Sequence, residues 1–245
     1  MLFVLLQIIE LLAQESRFKE GETLNVWAAS GLNMRDKPDA KAAKVSTIPY
    51  GAKVFVQPNI GLKIPFEVEE FKGFMVKGYW LLVKYGNTEG FVFDGFLSRL
   101  PAPKPREQDI GIEIYLDTQI GRVGNEYEIK VQNLDFDTIL RPATSKEKYE
   151  TFDYFSFKQK YKQGVLYDFR QGEGGFNMNI VFPNLTLFEG YILAKKYFYD
   201  DESHIFSFDK KDKKVNMFLK ESGAGCEYDI QQVGNKIIID GGCGC

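Results

Sequence analysis

The chain has 245 residues, with 31 Lys and Arg against 34 Asp and Glu, a net charge of −3 and a pI near 5.5. It lacks the basic surplus that neutralises a phosphate backbone, so nucleic acid is not an expected partner. A single His and three Cys argue against a metal centre, and no cofactor is implied. Twenty-one Phe and 13 Tyr suit pleated, half-buried strands, and the length accommodates two domains of ordinary size.

The N-terminus is an apolar run from Leu2 to Leu12 closing on Ala13. It is too short to span a bilayer and has the character of a secretory signal ending at a small residue, so residues 1–13 are expected to be a signal peptide, a truncated one if the start codon is misplaced. No Lys or Arg precedes the run, and Gln7 and Glu10 interrupt it, which keeps a short amphipathic helix as the alternative. No later segment is apolar enough to cross a membrane.

From Leu24 to Leu100 short strands follow one another quickly. Leu24 to Ala28 is the first, and Gly31 introduces Leu32 to Arg35. Lys37-Pro38-Asp39 makes a turn, since Pro fixes its own backbone and Asp tolerates turn geometry. Val45 to Ile48 and Ala52 to Val56 flank Pro49-Tyr50-Gly51. A longer segment, Gln57 to Tyr79, reads as an extended hairpin of Ile64 to Val68 and Phe74 to Lys77 joined near Lys72-Gly73. Trp80 to Tyr85 alternates, Gly86-Asn87 supplies a tight turn, and Phe91 to Phe93 closes the unit.

Leu32-Asn33-Met34-Arg35-Asp36-Lys37-Pro38, then Pro49-Tyr50-Gly51, then Trp80-Leu81-Leu82-Val83 and Gly86-Asn87-Thr88-Glu89-Gly90-Phe91-Val92 resemble, in order and spacing, the bacterial SH3-like (SH3b) domain. The resemblance covers residues of about 22–100. Phe91 stands where that family more often has Trp. The likeness implies an SH3-like small barrel, here with an extended hairpin, acting as a binding module on an exported protein.

Leu100-Pro101-Ala102-Pro103-Lys104-Pro105 marks a boundary, because alternating prolines favour a stiff, extended linker; residues 101–108 are assigned to it. Residues 109–245 then show apolar runs spaced by Gly, Asn and Asp. Candidate strands are Ile110 to Leu116, Tyr127 to Val131, Thr151 to Phe157, Gly164 to Phe169 and Phe176 to Phe182. Thr186 to Ala194, Ile205 to Phe208, Val215 to Leu219, Glu227 to Gln232 and Lys236 to Asp240 continue the series. The expected class is all-β, with an antiparallel sandwich or open barrel in this second part. Lys146 to Glu150 and Ala194 to Asp201 are candidate short helices.

Candidate ligand-binding residues are Asn33, Arg35, Tyr50, Trp80 and Phe93. An Arg fork can hold the carboxylate of a cell-wall peptide, while the structural alternative has Asn33 bracing a turn and Arg35 capping carbonyls. Tyr50, Trp80 and Phe93 suit an aromatic groove, although Trp80 opens a strand with one buried side and is equally a core candidate. No metal site is expected: His204 sits beside Asp200, Asp201 and Glu202 without a second His. No catalytic residue is assigned either, Asp168 and Glu173 being the nearest approach to a carboxylate pair.

If Gly234-Asn235 is a hairpin turn, Cys226 faces Cys243 across the ladder, and a disulfide between them is expected. Cys245 is then the spare thiol or the competing partner. A cell-wall cysteine peptidase would need its Cys with a His, a pairing that the tail cysteines and the acidic-loop His do not suggest. The expected function is that of a non-catalytic, monomeric envelope protein in the periplasm or at the cell surface. Its partner would be a cell-wall peptide or glycan, or an envelope protein. A carboxylate-based glycan hydrolase in residues 109–245 and a structural adaptor are the alternatives.

Overall fold

A computed structural model of the chain describes residues 17–58, 64–104, 111–124, 154–172, 175–198, 204–219 and 225–244. The signal-peptide segment 1–13, the candidate strand Tyr127 to Val131, the candidate helix Lys146 to Glu150 and Cys245 lie outside these residues. The chain divides into two units. One comprises Met1–Val68 with Val76–Ala102; the other comprises Glu69–Met75 with Pro103–Cys245.

The first unit carries β1 (Thr23–Val26), β2 (Leu32–Arg35), β3 (Lys44–Ile48), β4 (Lys53–Val56), β5 (Pro65–Phe71), β6 (Phe74–Tyr85), β7 (Thr88–Phe93) and β8 (Leu97–Ser98), except that residues 69–75 at the β5–β6 turn fall to the second unit. The strands are ordered β3-β2-β7-β6-β4-β1-β8, with β5 paired to β6 outside that path. Alternation explains the core: Val54 and Val56 turn inward from β4, while Lys53 and Phe55 face out. Those two valines join Leu24, Val26, Met34, Ile48, Leu81, Val83, Val92 and Leu97 in one apolar cluster. Fully burying a side chain of this size contributes about 1.5–3 kcal/mol. Trp27 is fully buried beside them and donates its indole N–H to the carbonyl of Leu100 at 3.1 Å.

Two glycines are dictated by geometry. Gly86 adopts φ +58° in the turn where Tyr85 pairs with Thr88. At Gly90 a Cβ would meet the Met34 side chain at 2.5 Å and the Arg35 carbonyl at 2.8 Å, so β2 can cross β7 only over a residue without a side chain.

The second unit carries β9 (Tyr154–Lys160), β10 (Leu166–Gly172), β11 (Gly175–Pro183), β12 (His204–Asp209), β13 (Lys214–Leu219), β14 (Gly225–Val233) and β15 (Lys236–Gly244). They form a single antiparallel sheet in the order β12-β13-β14-β15-β11-β10-β9. The class is mostly β throughout, and neither sheet closes into a barrel. Met178, Ile180, Phe182, Ile230, Ile237 and Ile239 are buried on one face. Their in-between neighbours Asn177, Asn179, Asp229 and Asp240 carry the polar alternation of the other.

Two expected strands are helices instead. Thr186 to Ala194 belongs to α2 (Leu187–Tyr197), which packs on β13, β14 and β15. Thr186 caps it: the backbone N–H of Glu189 donates to the Thr186 hydroxyl, and the Glu189 carboxylate accepts from the Thr186 N–H at 2.8 Å. Every residue from Leu187 to Ala194 is buried, so no polar face interrupts the run and its period is hidden. Gly190 is the point of closest approach; a Cβ there would meet Ile237 at 2.5 Å and Ile230 at 2.8 Å.

Of the expected strand Ile110 to Leu116, the part from Ile112 likewise folds as a helical turn, α1 (Ile112–Tyr115), continued by a wider turn over Leu116–Ile120, while Ile110 lies outside the described residues. Gly121 stops it with φ +85°. The Tyr167 hydroxyl donates to the Glu113 carboxylate at 2.5 Å and ties α1 to β10. That tie and burial together push the Tyr167 phenol far above its ordinary range, burial being the larger cause.

Candidate functional site

Asn33 projects from β2 and is exposed; its amide oxygen accepts from the Thr47 hydroxyl on β3 at 3.3 Å. Arg35 is half-buried at the end of β2, where its guanidinium donates to the Ala42 carbonyl at 2.6 Å. Both side chains are therefore engaged inside the domain. Tyr50 lies half-buried in the turn between β3 and β4.

Trp80 and Phe93 are brought together as direct partners across β6 and β7. Both are buried, at 5% and 3% exposure, so they form the floor of an aromatic cluster and not its open rim. Phe66 from β5 packs on both, 5.2 Å from Trp80 and 5.3 Å edge-on to Phe93. Phe96 meets Phe93 edge-on at 5.1 Å. The β5–β6 hairpin also carries a groove of about 630 Å³ lined by Pro65, Phe66, Glu67, Lys77, Gly78 and Tyr79.

Asp94 is the buried acid of this region. The Tyr79 N–H donates to its carboxylate at 2.6 Å. Burial pushes the carboxyl up to about 6, against the opposing pull of that hydrogen bond and of Arg17. Gly78 is required beside it, because a Cβ there would collide with Asp94 Oδ1. Phe66, Tyr79 and Asp94 were not among the residues singled out from sequence. Phe66 sits in the segment that lengthens this domain, and Asp94 follows directly on Phe93-bearing strand β7, where an acid next to Gly95 reads as a turn.

Elsewhere, Asp168 is held by Lys158 at 3.1 Å and Arg170 at 3.2 Å, and these partners keep its carboxyl below its ordinary range despite partial burial. Glu173 lies outside the described residues. Among the described residues no group of three or more His, Cys, Asp or Glu is arranged to hold a metal ion, and no helix is long and apolar enough to cross a membrane. Cys226 and Cys243 form a disulfide, on the register expected from a Gly234-Asn235 turn.

Residues 30–98 match the family model of the bacterial SH3 domain, a stretch that takes in β2 through β8. The chain thus carries a bacterial SH3 domain in its N-terminal part, lengthened by the β5–β6 hairpin. No curated protein and no solved structure matches the chain.

Proposed function

We propose that the chain is a non-catalytic exported envelope protein whose SH3 domain binds a cell-wall peptide or glycan, or an envelope protein. The observation that carries this reading is the SH3 match over residues 30–98, domains of this type commonly being cell-wall binders. Two features support export: the apolar run that precedes Ala13, and the Cys226–Cys243 disulfide, which belongs to an oxidising compartment. The ligand contacts Tyr50 and the groove beside Phe66 and Tyr79, while Trp80 and Phe93 hold that groove in shape from below.

Co-sedimentation of the full chain with purified peptidoglycan tests the reading. Tyr50→Ala and Phe66→Ala should each weaken binding with the fold intact by circular dichroism. Failure of the wild-type chain to sediment would remove the cell wall as partner, and capture from envelope extract would then point to a protein ligand.

A further inference from the structure

The open face of the second sheet bears a rank of polar side chains in direct register. Asn216, Asp229, Asp240, Asn179 and Asp168 are consecutive cross-strand partners on β13, β14, β15, β11 and β10. Directly opposed residues share a face, so all five line one side of the sheet. Four residues along each strand, the same face carries a rank of glycines: Gly225, Gly244, Gly175 and Gly172 are again consecutive partners. Four adjacent strands make that bare strip about 14 Å wide, three inter-strand spacings.

Between the two ranks lies a groove of about 730 Å³ whose lining includes all four glycines with Arg170, Asn177, Glu227, Asp229 and Asp240. Part of the glycine rank answers to the strands themselves, since a Cβ at Gly175 would strike the Cys243 carbonyl. Gly225 does not: a Cβ there meets nothing within 4 Å. Its missing side chain leaves room in the groove and relieves no clash.

The chemistry of the lining narrows the ligand. The three carboxylates of the polar rank already have donors: Lys214 donates to Asp229 at 2.8 Å, the Asn179 amide donates to Asp240 at 2.9 Å, and Asp168 has Lys158 and Arg170. Among the described residues no group of three or more His, Cys, Asp or Glu is placed to hold a metal ion, and an anion meets Glu227, Asp229 and Asp240. An apolar ligand would desolvate this polar rank without repayment. An extended peptide pairs with a sheet edge, not with a face. What fits is a flat, neutral molecule with donors and acceptors around its rim, facing Asp, Asn and Arg groups that accept and donate in a plane.

We propose that this groove binds a neutral oligosaccharide, its rings lying over the glycine strip and its hydroxyls bridged to Asn177, Asp229 and Asp240. The site lies wholly in the second unit and does not depend on the SH3 domain's ligand. The test is calorimetric titration of the full chain with chitotetraose and, separately, cellotetraose, both free of peptide. Saturable binding of at least one is expected, weakened about tenfold or more by Gly225→Leu, which fills the open space, and by Asp240→Ala, which removes an exposed acceptor. Asp240→Ala alone decides the matter should Gly225→Leu fail to fold. No binding of either sugar at millimolar concentration, or binding unchanged by Asp240→Ala, would overturn the proposal. Loss of peptidoglycan binding in Tyr50→Ala bears only on the SH3 domain, so the two readings fail separately.

Discussion

Cys226 on β14 and Cys243 on β15 are direct partners across the hairpin, with Cα atoms 4.0 Å apart and the Tyr228 hydroxyl 3.6 Å from the Cys243 sulfur. Their separation of 17 residues encloses the whole β14–β15 turn. A cross-link over a loop of that size contributes roughly 3 kcal/mol by restricting the unfolded chain. Non-reducing peptide mapping should find the Cys226 peptide joined to that of Cys243. Cys226→Ser should speed hydrogen exchange across β14 and β15 while leaving β1 to β4 unchanged. Three free thiols in protein made in an oxidising compartment would refute the link.

The α2 helix supplies a second expectation. Thr186→Ala removes the hydroxyl that accepts from the Glu189 N–H, at a cost of about 1 kcal/mol. Gly190→Ala drives a methyl into Ile237 and Ile230, which can yield only at their side-chain ends, and should cost roughly 1–3 kcal/mol. Both losses should appear as a lowered Tm of the second unit. A Gly190→Ala chain as stable as wild type would place α2 off the β14–β15 face.

Much of this architecture was legible in the residues, and the reason is period. Stretches such as Asn177-Met178-Asn179-Ile180 on β11 and Glu227-Tyr228-Asp229-Ile230 on β14 alternate cleanly, and Gly86-Asn87 and Gly234-Asn235 fix the register of their hairpins, which is why the Cys226–Cys243 pair could be placed in advance. Where period failed, so did the reading. Leu187 to Ala194 is apolar or buried at every position, and Ile110, Ile112, Ile114 and Leu116 alternate like a strand although residues 112–115 are helical. The signal that would have corrected the first is Thr186 three residues before Glu189, a capping pair. The candidate site was half legible. Trp80 and Phe93 were found by type, but their burial under Phe66 is a consequence of the β5–β6 hairpin folding back.

Asp94 makes the SH3 domain sensitive to pH. Its carboxyl stands at about 6 in the folded chain against an ordinary 3.8, so between those values the native state binds more protons than the unfolded one. Its contribution is fully present below about 3.8 and is lost as pH rises through about 6, a difference of about 2–3 kcal/mol. Both Trp residues of the chain, Trp27 and Trp80, lie in this domain, so their fluorescence isolates its unfolding. Urea midpoints should rise from pH 7 to pH 5 in the wild type. In Asp94→Asn, which keeps an acceptor for the Tyr79 N–H, that dependence should flatten. Parallel pH profiles for the two proteins would contradict the buried-acid account.

Truncation of the aromatic floor should be structural in its effect. Trp80→Ala leaves Phe66 and Phe93 without their buried partner and should cost roughly 3–5 kcal/mol. Phe66→Ala, at a half-buried ring, should cost less and act mainly on binding. Chemical denaturation followed at Trp27 separates the two. A Trp80→Ala domain of undiminished stability would show that the ring is not part of the core.

The central claim is tested most directly by the affinity of the full chain for purified peptidoglycan, measured by co-sedimentation alongside Tyr50→Ala and Phe66→Ala. Saturable binding of the wild type is predicted, weakened about tenfold by either substitution, the loss of roughly 1.4 kcal/mol of contact. Absence of wild-type binding, or binding undiminished in both folded variants, would contradict a wall-binding role for the SH3 domain.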